Sequence, residues 1–270
     1  MRLRYIILHK DYQILQTKYK GLFMETKTSW IVNNPIAHRG LHNFELPENS
    51  LPAFKNAVDH GFAIELDVRI IDDHTVIVFH DEKLSRMTDR DGYVANMKAA
   101  DLNDIKLLKT EYSVPTFEQV LEEVNGQVPL LIEIKKAEQS FALEEALLQM
   151  LQSYRGDYAI ESFDPFSLQY FHKNAPNIMR GQLASYFHHP DFDASRRDKK
   201  RLKKLKYNDI SKPDFIAYKI SNLPNKYVKN TGLPVLAWTV RSELAAQKAR
   251  EVCDNYIFEG FIPKTNDKAE

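Results

Sequence analysis

Hydrophobic and polar positions along the chain follow two rhythms. Nine short runs are rich in β-branched and aliphatic residues: PIAHR, FAIELDV, TVIVFH, PLLIEIK, DYAIESF, IMRGQLA, DFIAYKI, PVLAWTV and NYIFEGF. The stretches between them carry apolar residues at helical spacing, and strand followed by helix, repeated, predicts parallel βαβ units. One connection reads in detail. In ENSLPAFKNAVDHG, Asn49 or Ser50 can cap a helix, Pro52 fits its first turn, Leu51, Phe54 and Val58 form an apolar stripe, and Gly61 ends it. Further helices are expected over 116–124, 140–153 and 242–252.

Nine strands are one too many for an eight-stranded barrel, and RIIDDH, between the second and third runs, is too short for a crossover helix. One piece there must be a hairpin or a bent excursion. With no internal repeat and no Pro/Gly/Ser-rich linker, the chain reads as an α/β protein. A single (β/α)8 TIM-type barrel is expected over residues 35–265, with an open doubly wound sheet as the runner-up. Residues 1–34 read as an N-terminal extension, a helix packed on the outside of the domain.

Composition narrows the class. Hydrophobic residues at 43% and charged residues at 27% are ordinary for a globular enzyme and argue against a disordered or fibrous chain. Lys plus Arg equal Asp plus Glu at 37 each, so no global field recruits nucleic acid. Cys253 stands alone, which excludes an internal disulfide and a thiolate zinc cluster and fits a reducing compartment. The N-terminal YIIL is too short for a signal sequence, and no uncharged stretch reaches the roughly 18 apolar residues of a membrane span. The expected location is cytoplasmic.

The charged positions inside the strands carry the chemistry. Residues two apart in a strand share a face, so Glu65 and Asp67 point one way in FAIELDV while Ile64, Leu66 and Val68 point the other. In PLLIEIK, Glu133 and Lys135 separate in the same way from Leu130, Ile132 and Ile134. In a barrel the charged faces converge near its C-terminal mouth; in an antiparallel sheet with one wet face they need no explanation. Three buried carboxylates require a compensating cation, and oxygen ligands suit a hard divalent ion, Ca2+ or Mg2+. His38 ends the first run and His80 the third, placing two imidazoles where general base and general acid are needed across a metal-bound phosphate. Arg39 offers a planar fork to phosphate oxygens, whereas Lys135 is a point charge for the same anion.

These segments resemble the glycerophosphodiester phosphodiesterases. The resemblance rests on HRG (38–40), PENS with the following AF (47–54), ELDV (65–68), FHDEKLSRMTD (79–89), PTFEQVL (115–121), IEIK (132–135), SFDP (162–165) and WTV (238–240), in the family's order and spacing. It implies a TIM-type barrel, a divalent metal, and hydrolysis of glycerophosphodiesters to glycerol 3-phosphate and an alcohol. By the same resemblance His38 and His80 are the acid/base pair and Arg39 a catalytic phosphate ligand. Glu65, Asp67 and Glu133 are the metal ligands, while Asn49, Lys135 and Trp238 contact or wall the substrate site. The chain departs from the pattern at Ile71 and His74, in a turn where the family usually has Thr and then Gly. Arg241 replaces the usual Asn after WTV, and Phe258-Glu259 replaces the closing Thr-Asp. The loop between HRG and PEN is longer and carries His42 and Phe44.

Arg196 to Lys206 packs eight basic residues into eleven positions. This is either a solvated helix face with Leu202 and Leu205 turned inward, or a weak contact for an acidic membrane surface beside the mouth. His188 and His189 read as surface residues. Three further functions stand beside the first: hydrolysis of lysophospholipids or another phosphodiester on the same barrel, an inactive phosphodiester-binding module, and, last, nucleic-acid binding through the basic run. The full set of His38, His80, Glu65, Asp67 and Glu133 argues against the inactive module.

Overall fold

The computed structural model describes residues 30–135, 140–187 and 194–264. All nine expected strands form: β1 (Ile36–Ala37), β2 (Ala63–Ile70), β3 (Val76–Val78), β4 (Leu130–Ile134), β5 (Tyr158–Ser162), β6 (Met179–Ala184), β7 (Phe215–Lys219), β8 (Val235–Val240) and β9 (Asn255–Phe258). Every strand pairing but β2–β3 is parallel, and β1 pairs with both β2 and β9, which closes the barrel and rules out the open sheet. The surplus strand is β3. It runs antiparallel to β2, with Val68 opposite Val78 and Ile70 opposite Val76, because RIIDDH holds only a turn. Ile71 N donates to Thr75 O at 3.0 Å and His74 adopts φ 65, the left-handed conformation that glycine takes more readily.

The connecting helices are α1 (Leu51–Asp59), α2 (Phe117–Val124), α3 (Ala142–Leu151), α4 (Pro165–Asn174), α5 (Arg196–Lys203), the short α6 (Asn208–Ser211) and α7 (Lys226–Lys229), and α8 (Glu243–Arg250). Ser50, not Asn49, caps α1: its Oγ accepts from Ala53 N at 3.4 Å and donates to Pro47 O at 2.6 Å. That leaves the Asn49 side chain to other work. Thr116 and Gln119 close a reciprocal capping box on α2, at 2.9 and 3.2 Å. In α5, Leu202 is buried and Leu205 just beyond it is buried too, as the solvated-face reading requires, while Arg201 stacks on Tyr207 and Lys203 on Tyr186.

Strand alternation sorts the core into two layers. Ile64, Leu66 and Val68 of β2 and Leu130, Ile132 and Ile134 of β4 face outward onto helix residues such as Val120, Leu147 and Phe171. Ala63, Leu131, Ala159, Phe215 and Ile257 fill the inside. Gly181 on β6 leaves room for the Phe215 ring, since a Cβ there would stand 2.1 Å from it. Residues 30–33 are helical, and Trp30 and Ile31 join the inward-facing cluster, held by Asn255 Nδ2 donating to Ile31 O and Asn34 O at 2.8 and 2.7 Å. This part of the N-terminal segment therefore stoppers the barrel instead of lying outside it. Residues 1–29 lie outside the described residues, as do His188 and His189.

Between β3 and α2 the chain makes an excursion, residues 79–115, with a small core of its own around Phe79, Leu84, Met87, Leu102 and Leu107. Val78 N donates to Pro115 O at 2.9 Å, so the excursion leaves and returns beside the C-terminal end of β2. No helix among the described residues is long and apolar enough to cross a membrane.

Candidate active site

Parallel register builds the acidic centre. Asp67 on β2 is level with Glu133 on β4, and Glu133 is level with Glu161 on β5. One oxygen each of Glu65, Asp67 and Glu133 lie within 4.8 Å of one another. Lys135 Nζ stands 3.1 Å from Asp67 Oδ1 and 2.6 Å from Glu133 Oε1. All four carboxylic residues are buried, so the reading of these charges as a wet sheet face does not hold.

Burial, then the neighbouring Asp67 and Glu133, pushes the Glu65 carboxyl well above the usual carboxylate range. Burial raises Glu133 as well, with Lys135 opposing, and it pushes Glu161 well up with help from Glu133. Asp67 goes the other way: burial works against its charge, but Lys135, His80 and Arg39 together hold it well below the usual range. The Lys135 ammonium, though buried, is raised by Asp67 and Glu133. Three of these four inward carboxyls are thus pushed toward their neutral form, an environment that a bound cation would relieve. An all-oxygen donor set of this kind fits a hard divalent ion.

The two-residue strand β1 delivers His38 and Arg39. Arg39 (φ 55) and Gly40 (φ 81) turn the chain sharply; a Cβ on Gly40 would lie 2.9 Å from the Ala53 carbonyl carbon and the Phe54 ring. The turn points Arg39 N at Glu65 Oε2, 2.9 Å away. The Arg39 guanidinium donates to Glu48 Oε1 at 2.6 Å and lies 3.4 Å from Asp67 Oδ2. Asn49 engages Asp67 twice: Nδ2 donates to Oδ2 at 2.8 Å and Oδ1 accepts from Asp67 N at 3.3 Å. His38 Nε2 is 3.9 Å from Glu65 Oε2, and its Nδ1 is hydrogen-bonded to Glu259. Burial lowers the imidazole to about 4 against the raising effect of Glu259, so at neutral pH it is uncharged and its Nδ1–H donates to the carboxylate, which can only accept.

His80 follows β3, with its carbonyl accepting from Arg69 Nε and Nη2 at 3.0 and 2.7 Å. Its Nδ1 is 2.5 Å from Asp81 Oδ1, and Arg86 Nε donates to the other Asp81 oxygen at 2.5 Å. Arg86 also donates to Glu48, so Glu48 ties the excursion to Arg39. His80 lowers both Asp67 and Glu133, which places it beside the acidic centre. Trp238, on β8, packs edge-on to Phe163 at 5.6 Å, and Phe163 meets Phe187 at 5.8 Å. Its Nε1 is buried with no hydrogen-bond partner among the described residues.

Three site residues were not given roles by the sequence. Glu161 shares the inward phase of DYAIESF, Glu48 lies within PENS, and Glu259 stood out only as a departure from the family pattern. A two-residue phase matched to PLLIEIK was the available signal for Glu161.

Residues 38–259 match the model of the glycerophosphoryl diester phosphodiesterase family. A glycerophosphodiester phosphodiesterase of Bacillus subtilis is 29% identical over 77% of this chain and 76% of its own. A human protein named lysophospholipase D is 34% identical over 46% of this chain and 38% of its own. The structure of an Oleispira antarctica phosphodiesterase in complex with its product sn-glycerol-3-phosphate superimposes with a TM-score of 0.68 at 24% identity, covering 84% of this chain and 92% of that one. The match over most of the barrel, on the motifs that line this site, establishes that the chain belongs to the glycerophosphoryl diester phosphodiesterase family.

Proposed function

We propose that the protein hydrolyses glycerophosphodiesters to glycerol 3-phosphate and an alcohol, in a metal-dependent reaction with two histidines as acid and base. The observation that carries this reading is the convergence of Glu65, Asp67 and Glu133 within 4.8 Å, next to His38, inside a barrel of this family. A divalent ion, Ca2+ or Mg2+, held by those three carboxylates supplies charge stabilisation at the phosphate oxygens when bound. Lys135 and Asn49 hold Asp67 in place for it, and Arg39 keeps guanidinium N–H groups for the phosphate.

His38, uncharged and with its proton on Nδ1, has a lone pair on Nε2. It takes the proton from the glycerol hydroxyl beside the ester as that oxygen bonds to phosphorus and the bond to the alcohol breaks. His80 gives a proton to the departing alkoxide. Water then opens the cyclic phosphate with the two imidazoles in exchanged roles. Release of glycerol 3-phosphate from glycerophosphocholine, compared with an analogue lacking the neighbouring hydroxyl, tests this route. The analogue is expected to resist; equal rates contradict attack by that hydroxyl.

A second reading, turnover of lysophospholipids, is favoured by where apolar residues are exposed. Phe44 (99% exposed), Leu244 and Ile262 follow β1, β8 and β9, and Phe166 opens the helix after β5, so all four lie on the mouth side of the barrel. An apolar rim of this kind suits an amphiphile presented at a lipid surface, and the exposed basic residues of α5 add a weak attraction to acidic lipid. On this reading lysophosphatidylcholine is cleaved faster in micelles than as monomer, and Phe44→Ser removes the acceleration without slowing soluble substrates. A rate that ignores micelle formation contradicts it.

A further inference from the structure

Three departures from the family pattern stand far apart in the sequence: His42 in the longer loop after HRG, Arg241 after WTV, and Glu259 in the closing segment. In the fold they meet at one side chain. Glu259 follows β9, the strand flanked by β1 and β8, and Glu259 N donates to Val240 O at 3.0 Å. One carboxylate oxygen, Oε2, is hydrogen-bonded to His38 Nδ1. The other, Oε1, accepts from Arg241 Nε at 2.5 Å, and His42 Nε2 lies 3.9 Å from Oε2. Every departure that reaches the site therefore acts on the imidazole at the end of β1.

The second imidazole shows the same construction. His80 Nδ1 meets Asp81, whose other oxygen accepts from Arg86 Nε at 2.5 Å. Histidine, carboxylate and arginine are joined in that order on both sides of the site, by elements unrelated in sequence: β9 and β8 on one side, the excursion after β3 on the other. In both cases Nδ1 is engaged and Nε2 is left for chemistry.

We propose that Glu259 is a positioning residue of the reaction, with Arg241 as its support: it takes the Nδ1 proton of His38 in a hydrogen bond and so fixes the tautomer whose Nε2 lone pair faces the acidic centre. An imidazole that follows a two-residue strand can otherwise turn about its last torsion and present either nitrogen. A carboxylate can only accept, so it selects the Nδ1–H form, and its charge strengthens the bond and the basicity of the ring. The carboxylate itself stays ionised: burial works against it, but the hydrogen bond from His38 and the charge of Arg241 hold it far below the usual range. Arg241, two-thirds exposed, completes the clamp from the solvent side.

The inference rests on the catalytic role proposed for His38, and the experiment separates the two. Steady-state kinetics on glycerophosphocholine are measured for Glu259→Gln, Glu259→Asp, Arg241→Met and His38→Ala, together with long-range 1H–15N NMR of the His38 ring in the wild type and in Glu259→Leu. Glu259→Gln is expected to lower kcat about 100-fold with KM within about twofold, Glu259→Asp to recover part of the loss, and the exposed Arg241→Met to lower kcat by less than about tenfold. The ring proton is expected on Nδ1 in the wild type and on Nε2 in Glu259→Leu. If His38→Ala is inactive while Glu259→Gln turns over within about twofold of wild type, the positioning role is overturned and the mechanism stands. If His38→Ala retains activity, the mechanism falls. A wild-type proton on Nε2, a change in KM alone, or a bound zinc ion lost in His42→Asn also overturns the positioning role, the last by making the cluster a metal site.

Discussion

If Glu65 is a cation ligand as proposed, replacing it by glutamine separates the binding of the cation from the stability of the fold. Glu65 is 1% exposed, and burial together with Asp67 and Glu133 keeps its carboxyl well above the usual range. That environment favours the neutral form, and on the proposed reading a bound divalent ion takes the place of the proton. An ion that binds the folded chain and not the unfolded one adds about 2.7 kcal/mol of stability at a hundred times its Kd. For a barrel of this size each kcal/mol moves the melting midpoint by about 2–4 °C, so saturating cation raises it by about 5–10 °C. The substituted amide keeps the shape and the neutral state, and its oxygen can still accept from Arg39 N. In chelator, therefore, Glu65→Gln is expected to melt within about 1 kcal/mol of wild type. In excess Ca2+ or Mg2+ its midpoint rises by less than about 2 °C. Thermal unfolding followed by circular dichroism reads both quantities. A wild-type midpoint indifferent to both ions, or an equal rise in Glu65→Gln, refutes the assignment of this carboxylate as a ligand.

Other consequences follow from single contacts. Asn49→Ala removes both hydrogen bonds to Asp67 and is expected to lower stability in urea by about 1–3 kcal/mol while raising the cation concentration needed for half-saturation; unchanged cation affinity contradicts the positioning of Asp67. Gly40→Ala brings a Cβ to 2.9 Å from the backbone of α1 at a left-handed φ and is expected to destabilise by at least about 2 kcal/mol, read from the same denaturation curves. Burial pushes the Cys253 thiol up to about 12, so its thiolate fraction at pH 8 is roughly 10⁻⁴, and a disulfide reagent is expected to modify it at least 100-fold faster in the unfolded chain. Equal labelling rates contradict the half-buried placement.

Much of this architecture can be read from local pattern, and the remainder depends on distances along the chain that no window spans. The two-residue phase of FAIELDV and PLLIEIK separates the charged and apolar faces of β2 and β4, and the length of RIIDDH requires the β2–β3 hairpin. Glu161 has the same phase but stands in DYAIESF without a second charge two residues away, and only interstrand register brings it level with Glu133. The excursion at 79–115 buries Leu84, Met87, Leu102 and Leu107 at spacings that match neither a helix nor a strand. Trp30 and Ile31 occupy the barrel interior through a closure of the cylinder that their own surroundings do not encode. His38 and Glu259 are 221 positions apart, and their contact exists because β9 completes the ring beside β1.

On the proposed reading, three carboxylates and two imidazoles gathered by this barrel cleave a phosphodiester with the help of a divalent cation. Release of glycerol 3-phosphate from glycerophosphocholine, measured for wild type and His38→Ala in chelator and again after adding back Ca2+ or Mg2+, addresses it most directly. Turnover is expected only from wild type with cation restored, and none from His38→Ala in any condition. Turnover by the chelated wild type, or by His38→Ala, would contradict it.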